Sequence, residues 1–199
     1  WLCVEIINML LKKRNLKLIT VDDYKKKFMF PIREYYLKLG FDFSKEPFEV
    51  SGLEFIDEFK KRLFDASLYS DTELVLDKLS DRGITHSILS AQNQKMLDKA
   101  IDYYNLKNKF VGVNGLDDYY ANSKINIGKS WIKSLNIDPS HVLMVGDTVH
   151  DFEVSQAMGT GCLLLSGGHN SKERLNETGA KVLSTIEFLF DYIMAKNYE

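Results

Sequence analysis

Three features of the sequence predict an α/β protein with a parallel sheet. From residue 71 onward, short apolar runs of strand length alternate with segments of helical periodicity. Such alternation builds a parallel sheet with helices on both faces. Residues 1 to 69, by contrast, carry helical patterns only. The length of 199 residues suits one domain with a real core, or a compact domain with a small insertion. The predicted architecture is a Rossmann-like, three-layer core over residues 70–199, with a small all-helical domain over residues 1–69.

In the first part, Trp1 to Arg14 is apolar at helical intervals. Thr20 has the chemistry of an N-cap, and Asp22 and Asp23 follow where the helix dipole favours acids. Pro31 suits the first turn of a third helix, which Gly40 would close. Ser51 is expected to cap a fourth, whose stripe is Ile56, Phe59 and Leu63.

In the second part, Asp71 to Asp81 reads as a helix with Leu74, Val75 and Leu79 inward. Ile84 to Leu89 reads as a strand. Gln92 to Leu106 is a helix with Met96, Leu97, Ala100, Ile101 and Tyr104 on one face. Phe110 to Val113 is a short strand, and Asn126 to Leu135 a helix burying Ile127, Trp131 and Ile132. Val142 to Val145 is a strand, and Asp151 to Met158 a helix ended by Gly159. Cys162 to Leu165 is the next strand. A short strand near Val182 and a helix through Ile186, Leu189, Phe190 and Ile193 follow.

Composition narrows the function. Hydrophobic residues make up 45% and charged residues 27%, a globular rather than a disordered balance. The formal net charge of −2 gives no electrostatic case for nucleic acid or an anionic membrane. No apolar run approaches a membrane span, and the run from Trp1 to Leu11 lacks the charge order of a signal peptide. Cys3 and Cys162 sit far apart in apolar runs, which reads as buried free thiols in a reducing compartment. A cytoplasmic protein, monomeric or a weak dimer, is expected. Trp1 is neither Met nor a small residue exposed after Met removal, so an upstream segment is expected as well.

Ligands of parallel sheets bind beyond the carboxyl ends of the strands. That directs attention to His141-Val-Leu-Met-Val-Gly-Asp-Thr-Val-His-Asp151. Gly146 permits a sharp turn after the strand. A helix starting there puts Asp147 and Asp151 on neighbouring positions of its first turn. With no nearby Lys or Arg in sequence, the two carboxylates repel each other, and a hard divalent cation relieves that cost. Mg²⁺ suits one or two carboxylates, several waters and a substrate phosphate. The alternative is that Asp147 caps the helix and Asp151 is solvated. Ser90, directly after a strand, supplies a hydroxyl beside free backbone N–H groups, either an anion site or an ordinary N-cap. Lys124 lies before a helix, after the loop Asn114 to Ser123, and would neutralise phosphate as a point charge, with Lys129 as a rival.

The order Ser90, Lys124, Gly146-Asp147-x-x-x-Asp151, each after a predicted strand, resembles the haloacid-dehalogenase-like superfamily, with phosphoglycolate-phosphatase-like members nearest in pattern. Glu153-Val-Ser-Gln-Ala-Met-Gly159 and the strand after it fit the same resemblance. It covers residues 71 to 199, and residues 1 to 69 are similar to the helical cap that many members insert after the first strand. The resemblance implies a Mg²⁺-dependent phosphatase acting on a small phosphorylated metabolite through an aspartyl-phosphate. It implies that Asp147 ligates Mg²⁺, with Asp151 bound directly or through water. Ser90, Ala91, Gln92 and Lys124 would hold the phosphoryl oxygens, with Ser90 and Lys124 taking part in catalysis.

One motif of that superfamily is missing. No hydrophobic strand ending in Asp-x-Asp occurs in the 199 residues. Val21-Asp22-Asp23 has adjacent acids in helical sequence, and Phe41-Asp42-Phe43-Ser44 supplies one acid. The first core strand, with the nucleophile and the general acid, is therefore expected upstream of Trp1.

Lesser candidates remain. In Phe30-Pro-Ile-Arg33-Glu34-Tyr35-Tyr36, Arg33 would reach a substrate anion and Tyr36 would line the pocket mouth; the alternative is a solvated Arg and packed aromatics. Ser166-Gly-Gly-His-Asn170 falls at the ligand side of the sheet, where His169 either touches substrate or belongs to a simple loop. His86, His141 and His150 have no ligand partner at metal spacing. Rival readings are a phosphomutase of the same superfamily and a non-catalytic Mg²⁺- and phosphate-binding protein. A dehalogenase needs no acidic pair at Asp147 and Asp151, and a response-regulator-like domain needs one at the end of its first strand.

Overall fold

The protein is described from a computed structural model, and the residues described are 1–117 and 124–196. Four helices come first: α1 (Leu2–Lys13), α2 (Val21–Lys27), α3 (Ile32–Lys38) and α4 (Phe48–Lys61). Thr20 caps α2 as its chemistry requires. Its hydroxyl accepts from the Asp23 N–H, and the Asp23 carboxylate accepts from the Thr20 N–H. Gly40, just beyond α3, takes φ +96°, which favours glycine.

Ser51 does not cap α4. The helix begins at Phe48 behind Pro47, so Ser51 lies within its first turn, fully buried, with its hydroxyl donating to the Phe48 carbonyl. A proline needs no N–H partner and takes over the start of the helix. The four helices share one apolar cluster drawn from Leu2, Ile6, Ile7, Leu10, Leu11 and the rings of Tyr24, Phe28, Tyr35, Tyr36, Phe41 and Phe48.

The rest alternates. In order come α5 (Thr72–Ser80), β1 (Ser87–Asn93), α6 (Gln94–Tyr103), β2 (Gly112–Leu116), α7 (Ile125–Leu135), β3 (Leu143–Gly146), α8 (Val149–Met158), β4 (Gly161–Leu165), α9 (Lys172–Asn176), β5 (Lys181–Leu183) and α10 (Glu187–Ala195). Every strand pair is parallel. Side chains alternate between faces along each strand. Leu143, Val145, Leu163 and Leu165 therefore meet Val75 and Leu79 of α5 and Leu189 and Ile193 of α10. Leu97 and Ile101 of α6 meet Ile88 and Val113 of β1 and β2.

Three expectations require correction. Leu74 is 51% exposed while Val75 and Leu79 are buried, because only one stripe of α5 faces the sheet. Strand β1 begins at Ser87 rather than Ile84, since the chain ahead of it is still tied to α5. The Ile84 N–H donates to the Leu79 carbonyl, and His86 Nε2 lies 3.0 Å from the Leu76 carbonyl. Strand β1 also runs on to Asn93, with a register shift between Leu89 and Asn93, so Ser90, Ala91 and Gln92 lie within a bulged strand rather than after it. Likewise Asn114 belongs to β2, and residues 118–123 of the loop expected before Lys124 lie outside the described residues.

The most consequential difference concerns the sheet. Its strands form two pieces, β1–β2 and β3–β4–β5. Strand β1 pairs only with β2, and β3 only with β4, so each keeps one edge without a ladder among the described residues. The two pieces are joined on one face by α7 and α8, which pack on each other as well as on β2 and on β3 and β4.

Gly112 shows how close that packing is. A Cβ there would lie 2.2 Å from the Trp131 ring of α7. The rigid indole cannot yield as a flexible chain would. Gly112→Ala is therefore expected to destabilise the fold by about 1–3 kcal/mol in urea unfolding, the usual cost of overpacking. An unchanged midpoint would show that α7 does not pack on β2 as described.

Candidate functional site

The site grows from the end of β3. After Gly146 the chain reaches Asp147 and then Thr148, which is extended (φ −130°, ψ 156°) and is the N-cap of α8. The Thr148 hydroxyl accepts from the Asp151 N–H at 3.1 Å. Asp151 Oδ2 in turn accepts from the Asp147 N–H (2.9 Å), the Thr148 N–H (2.9 Å) and the Thr148 hydroxyl (2.7 Å). Asp147 therefore precedes the cap instead of standing in the first turn, and Asp151 occupies the third position of α8. The hydroxyl of Thr148 displaces Asp147 from the capping role.

Asp151 is not an unpaired carboxylate. Its Oδ1 lies 2.6 Å from Lys124 Nζ, and both residues are more than nine-tenths buried. Burial alone would push the Asp151 carboxyl up, but the Lys124 ammonium, the Thr148 hydroxyl and the Asp147 N–H hold it below the ordinary carboxylate value. The same ammonium donates to the Leu89 carbonyl at 3.0 Å. That carbonyl belongs to the peptide leading into Ser90. Lys124 thus bridges the point where the β1 ladder shifts register and the turn after β3, and ties the two sheet pieces together. Sequence spacing could not reveal this, because 26 residues separate Lys124 from Asp151.

Asp147 differs. Its Oδ2 accepts the His169 N–H at 2.6 Å, and its carbonyl accepts the Asn170 N–H at 3.2 Å. Oδ1 has no hydrogen-bond partner among the described residues. Two glycines make room for this arrangement. A Cβ on Gly168 would lie 1.9 Å from Asp147 Oδ2, and one on Gly146 would lie 2.3 Å from Asp151 Cγ. Gly146 therefore serves close approach of the Asp151 carboxylate and does not need a positive φ.

Gly167 to Asn170 is no simple loop, since it wraps Asp147. The His169 ring stacks on Phe28 at 4.8 Å, and its Nδ1 is 2.8 Å from the Tyr24 hydroxyl. The Tyr69 hydroxyl donates to the Gly167 carbonyl at 3.1 Å. Burial raises the titration of Cys3, Tyr24 and Tyr69, and the charge of Asp147 adds to it in each. These groups, from the N-terminal helices and the segment after them, surround the carboxylate in neutral form. Sequence reasoning missed Tyr24, Tyr69 and Asn170, since nothing in local spacing connects them to Asp147.

The other expected site residues have the following surroundings. Tyr36 is 3% exposed and packs on Phe41 and Phe48, so it lines no pocket mouth. Its hydroxyl titration is raised by burial. Arg33 lies over the Phe43 ring at 5.0 Å and 3.7 Å from Glu34. The Ser90 hydroxyl accepts from the Gln92 N–H at 3.1 Å, and Ala91 and Gln92 are half-buried. His150 Nδ1 lies 3.0 Å from Glu153.

The geometry suits a hard cation modestly. Among the described residues no group of three His, Cys, Asp or Glu side chains converges as a metal cage. Asp147 offers one open carboxylate oxygen, and Asp151 stands four residues on. That set fits Mg²⁺, which takes one or two protein carboxylates and completes its shell with water and phosphate.

Comparisons with known proteins bear on family and fold. The family model described as haloacid dehalogenase-like hydrolase matches residues 2–165. A phosphoglycolate phosphatase of Aliivibrio fischeri (strain ATCC 700601 / ES114) is 24% identical over 129 residues, 64% of this chain and 56% of that protein. The chain thus spans little more than half the length of the curated relatives it matches. A solved structure of a predicted phosphatase from Clostridium acetobutylicum superposes with a TM-score of 0.80 at 19% identity, covering 98% of this chain and 91% of that one. The protein tyrosine kinase A of Mycobacterium tuberculosis superposes at 0.78 with 17% identity, covering 96% and 90%. At such identities the structures share the fold, and the fold alone does not fix the activity.

The ion pair gives a stability test. Lys124→Met and Asp151→Asn are each expected to cost about 3–5 kcal/mol, because each strands a buried partner. The double variant should cost clearly less than the sum of the two in chemical denaturation. Strict additivity would mean that the pair is not formed.

Proposed function

The chain belongs to the haloacid dehalogenase-like hydrolase family, and from that membership we propose that it is the greater part of a Mg²⁺-dependent phosphatase for a small phosphorylated metabolite. The observation that carries this reading is the meeting of Asp147, Asp151 and Lys124 between β1 and the turn after β3. There, Asp151 pairs with an ammonium that is already desolvated and accepts the N–H of Asp147, whose Oδ1 has no hydrogen-bond partner among the described residues. Phosphoryl transfer consists largely of positioning and charge neutralisation, and this pairing supplies both.

In this proposal Asp147 would hold Mg²⁺, and Asp151 would bind it directly or through water. The bound cation would neutralise charge on the transferring phosphoryl group. Lys124 adds a second positive charge, and Ser90, Ala91 and Gln92 would face the phosphoryl oxygens. Residues 1–69 act as a cap that excludes water during the first transfer. Tyr69 and His169 join Arg33 as the groups proposed to face the substrate, in place of the buried Tyr36.

The nucleophilic aspartate and the general acid would come on a strand outside residues 1–199, entering between β1 and β3. The unpaired edges of those strands support that position. A strand laid there would pair on both sides and end beside Asp147. A cytoplasmic location and a monomer or weak dimer belong to the same proposal and agree with two free cysteines. Among the described residues no helix is long and apolar enough to cross a membrane.

The test is phosphate release by a form carrying the additional strand. Asp147→Asn is expected to lower Mg²⁺-dependent turnover by about 100-fold or more, in the range of losing a transition-state electrostatic contact. Chelation of Mg²⁺ should abolish release in the unaltered protein. Unchanged turnover in Asp147→Asn, or isomerised sugar phosphate in place of free phosphate, would overturn the reading.

A further inference from the structure

We propose that Asn170 is a positioning residue that carries the seating of the N-terminal helices into the geometry of the carboxylate turn. Asn170 is 1% exposed, and its amide is used in two directions. Oδ1 accepts the N–H of Val149, the first residue of α8, at 2.9 Å. Nδ2 donates to the carbonyl of Phe28, the C-cap of α2, at 3.0 Å. The backbone N–H of Asn170 donates to the Asp147 carbonyl.

Helix ends leave N–H groups at the start and carbonyls at the finish without helical partners. Asn170 satisfies one such group on each of two helices, of which α2 contributes to the apolar cluster of the N-terminal helices and α8 follows β3. The first is α2, whose Tyr24 and Phe28 rings surround His169. The second is α8, whose first turn fixes both acids. An amide can do this because one end donates and the other accepts.

Neighbouring bonds reinforce the α2 side. The Ser171 N–H donates to the Lys25 carbonyl at 3.1 Å, and the Arg174 guanidinium donates to the carbonyls of Phe28 and Lys25. On the α8 side the Val149 N–H has the Asn170 side chain as its partner. If Phe28 moves away, the Asn170 amide loses the bond that fixes its orientation. The Val149 N–H then loses a fixed acceptor two residues from Asp147 and two from Asp151. Seating of α2 is thereby registered at the acidic turn.

The catalytic consequence rests on the phosphatase reading, whereas the structural coupling does not, and the test separates them. Hydrogen exchange is measured on the 199-residue chain for the unaltered protein, Asn170→Asp and Asn170→Ala. The near-isosteric Asn170→Asp keeps the acceptor for Val149 and removes the donor to Phe28, so it remains informative if Asn170→Ala fails to fold.

The expected result for Asn170→Asp is exchange raised by about 10-fold or more at the Tyr24 to Phe28 amides and raised at Val149 as well, although its acceptor is kept; Val149 protected as before would overturn the coupling. Asn170→Ala should raise exchange at both places. In the turnover-competent form, Asn170→Ala should lower kcat about 10- to 100-fold, the range seen when outer contacts of a metal site are removed, with KM changed much less. Exchange unchanged at both places, or raised evenly across the whole chain, would overturn the coupling. Altered exchange with kcat intact would overturn the positioning role. Altered exchange in a protein that never releases phosphate would leave the coupling standing and defeat the phosphatase reading instead.

Discussion

The buried pair of Lys124 and Asp151 is the constraint on which the arrangement of the site depends. A single ammonium bridges the two sheet pieces, through the Leu89 carbonyl within β1 and the Asp151 carboxylate in the first turn of the helix after β3. A charge in such surroundings is tolerated only when paired and hydrogen-bonded. Both conditions are met here, since Asp151 also receives two backbone N–H groups and a hydroxyl. The pair fixes the separation of β1 and β3 and leaves Asp147 as the carboxylate with an open oxygen.

The surroundings of Asp147 come from distant parts of the chain. Gly168 allows the segment after β4 to close over the carboxylate, and His169 carries that closure outward to Phe28 and Tyr24. The N-terminal helices thus meet the α/β part through an aromatic contact on one side and the Asn170 amide on the other. An acidic turn bounded this way has a polar floor from α8 and a largely neutral, aromatic wall from α2.

Much of this was legible in the sequence, because local signals govern local structure. Alternating strands and helices, the Thr20 cap and the αL end of α8 at Gly159 depend on neighbours within four residues, and all are present. The acidic turn was legible as a pattern. What failed was long-range. Asp151 looked unpaired because its partner lies 27 positions away, and Leu74 looked inward because α5 shows two apolar flanks of which only one is covered. Tyr36 looked available because an aromatic stripe does not say which rings meet each other. The split of the sheet was foreshadowed only by the missing Asp-x-Asp.

The most direct test of the central claim is a titration of the 199-residue chain with inorganic phosphate, with and without Mg²⁺, followed by backbone amide shifts. The account predicts Mg²⁺-dependent shifts confined to Gly146–Asp151, Leu89–Gln92, Lys124 and the segment around His169. Phosphate binding that ignores Mg²⁺, or shifts centred away from the ends of β1 and β3, would contradict it.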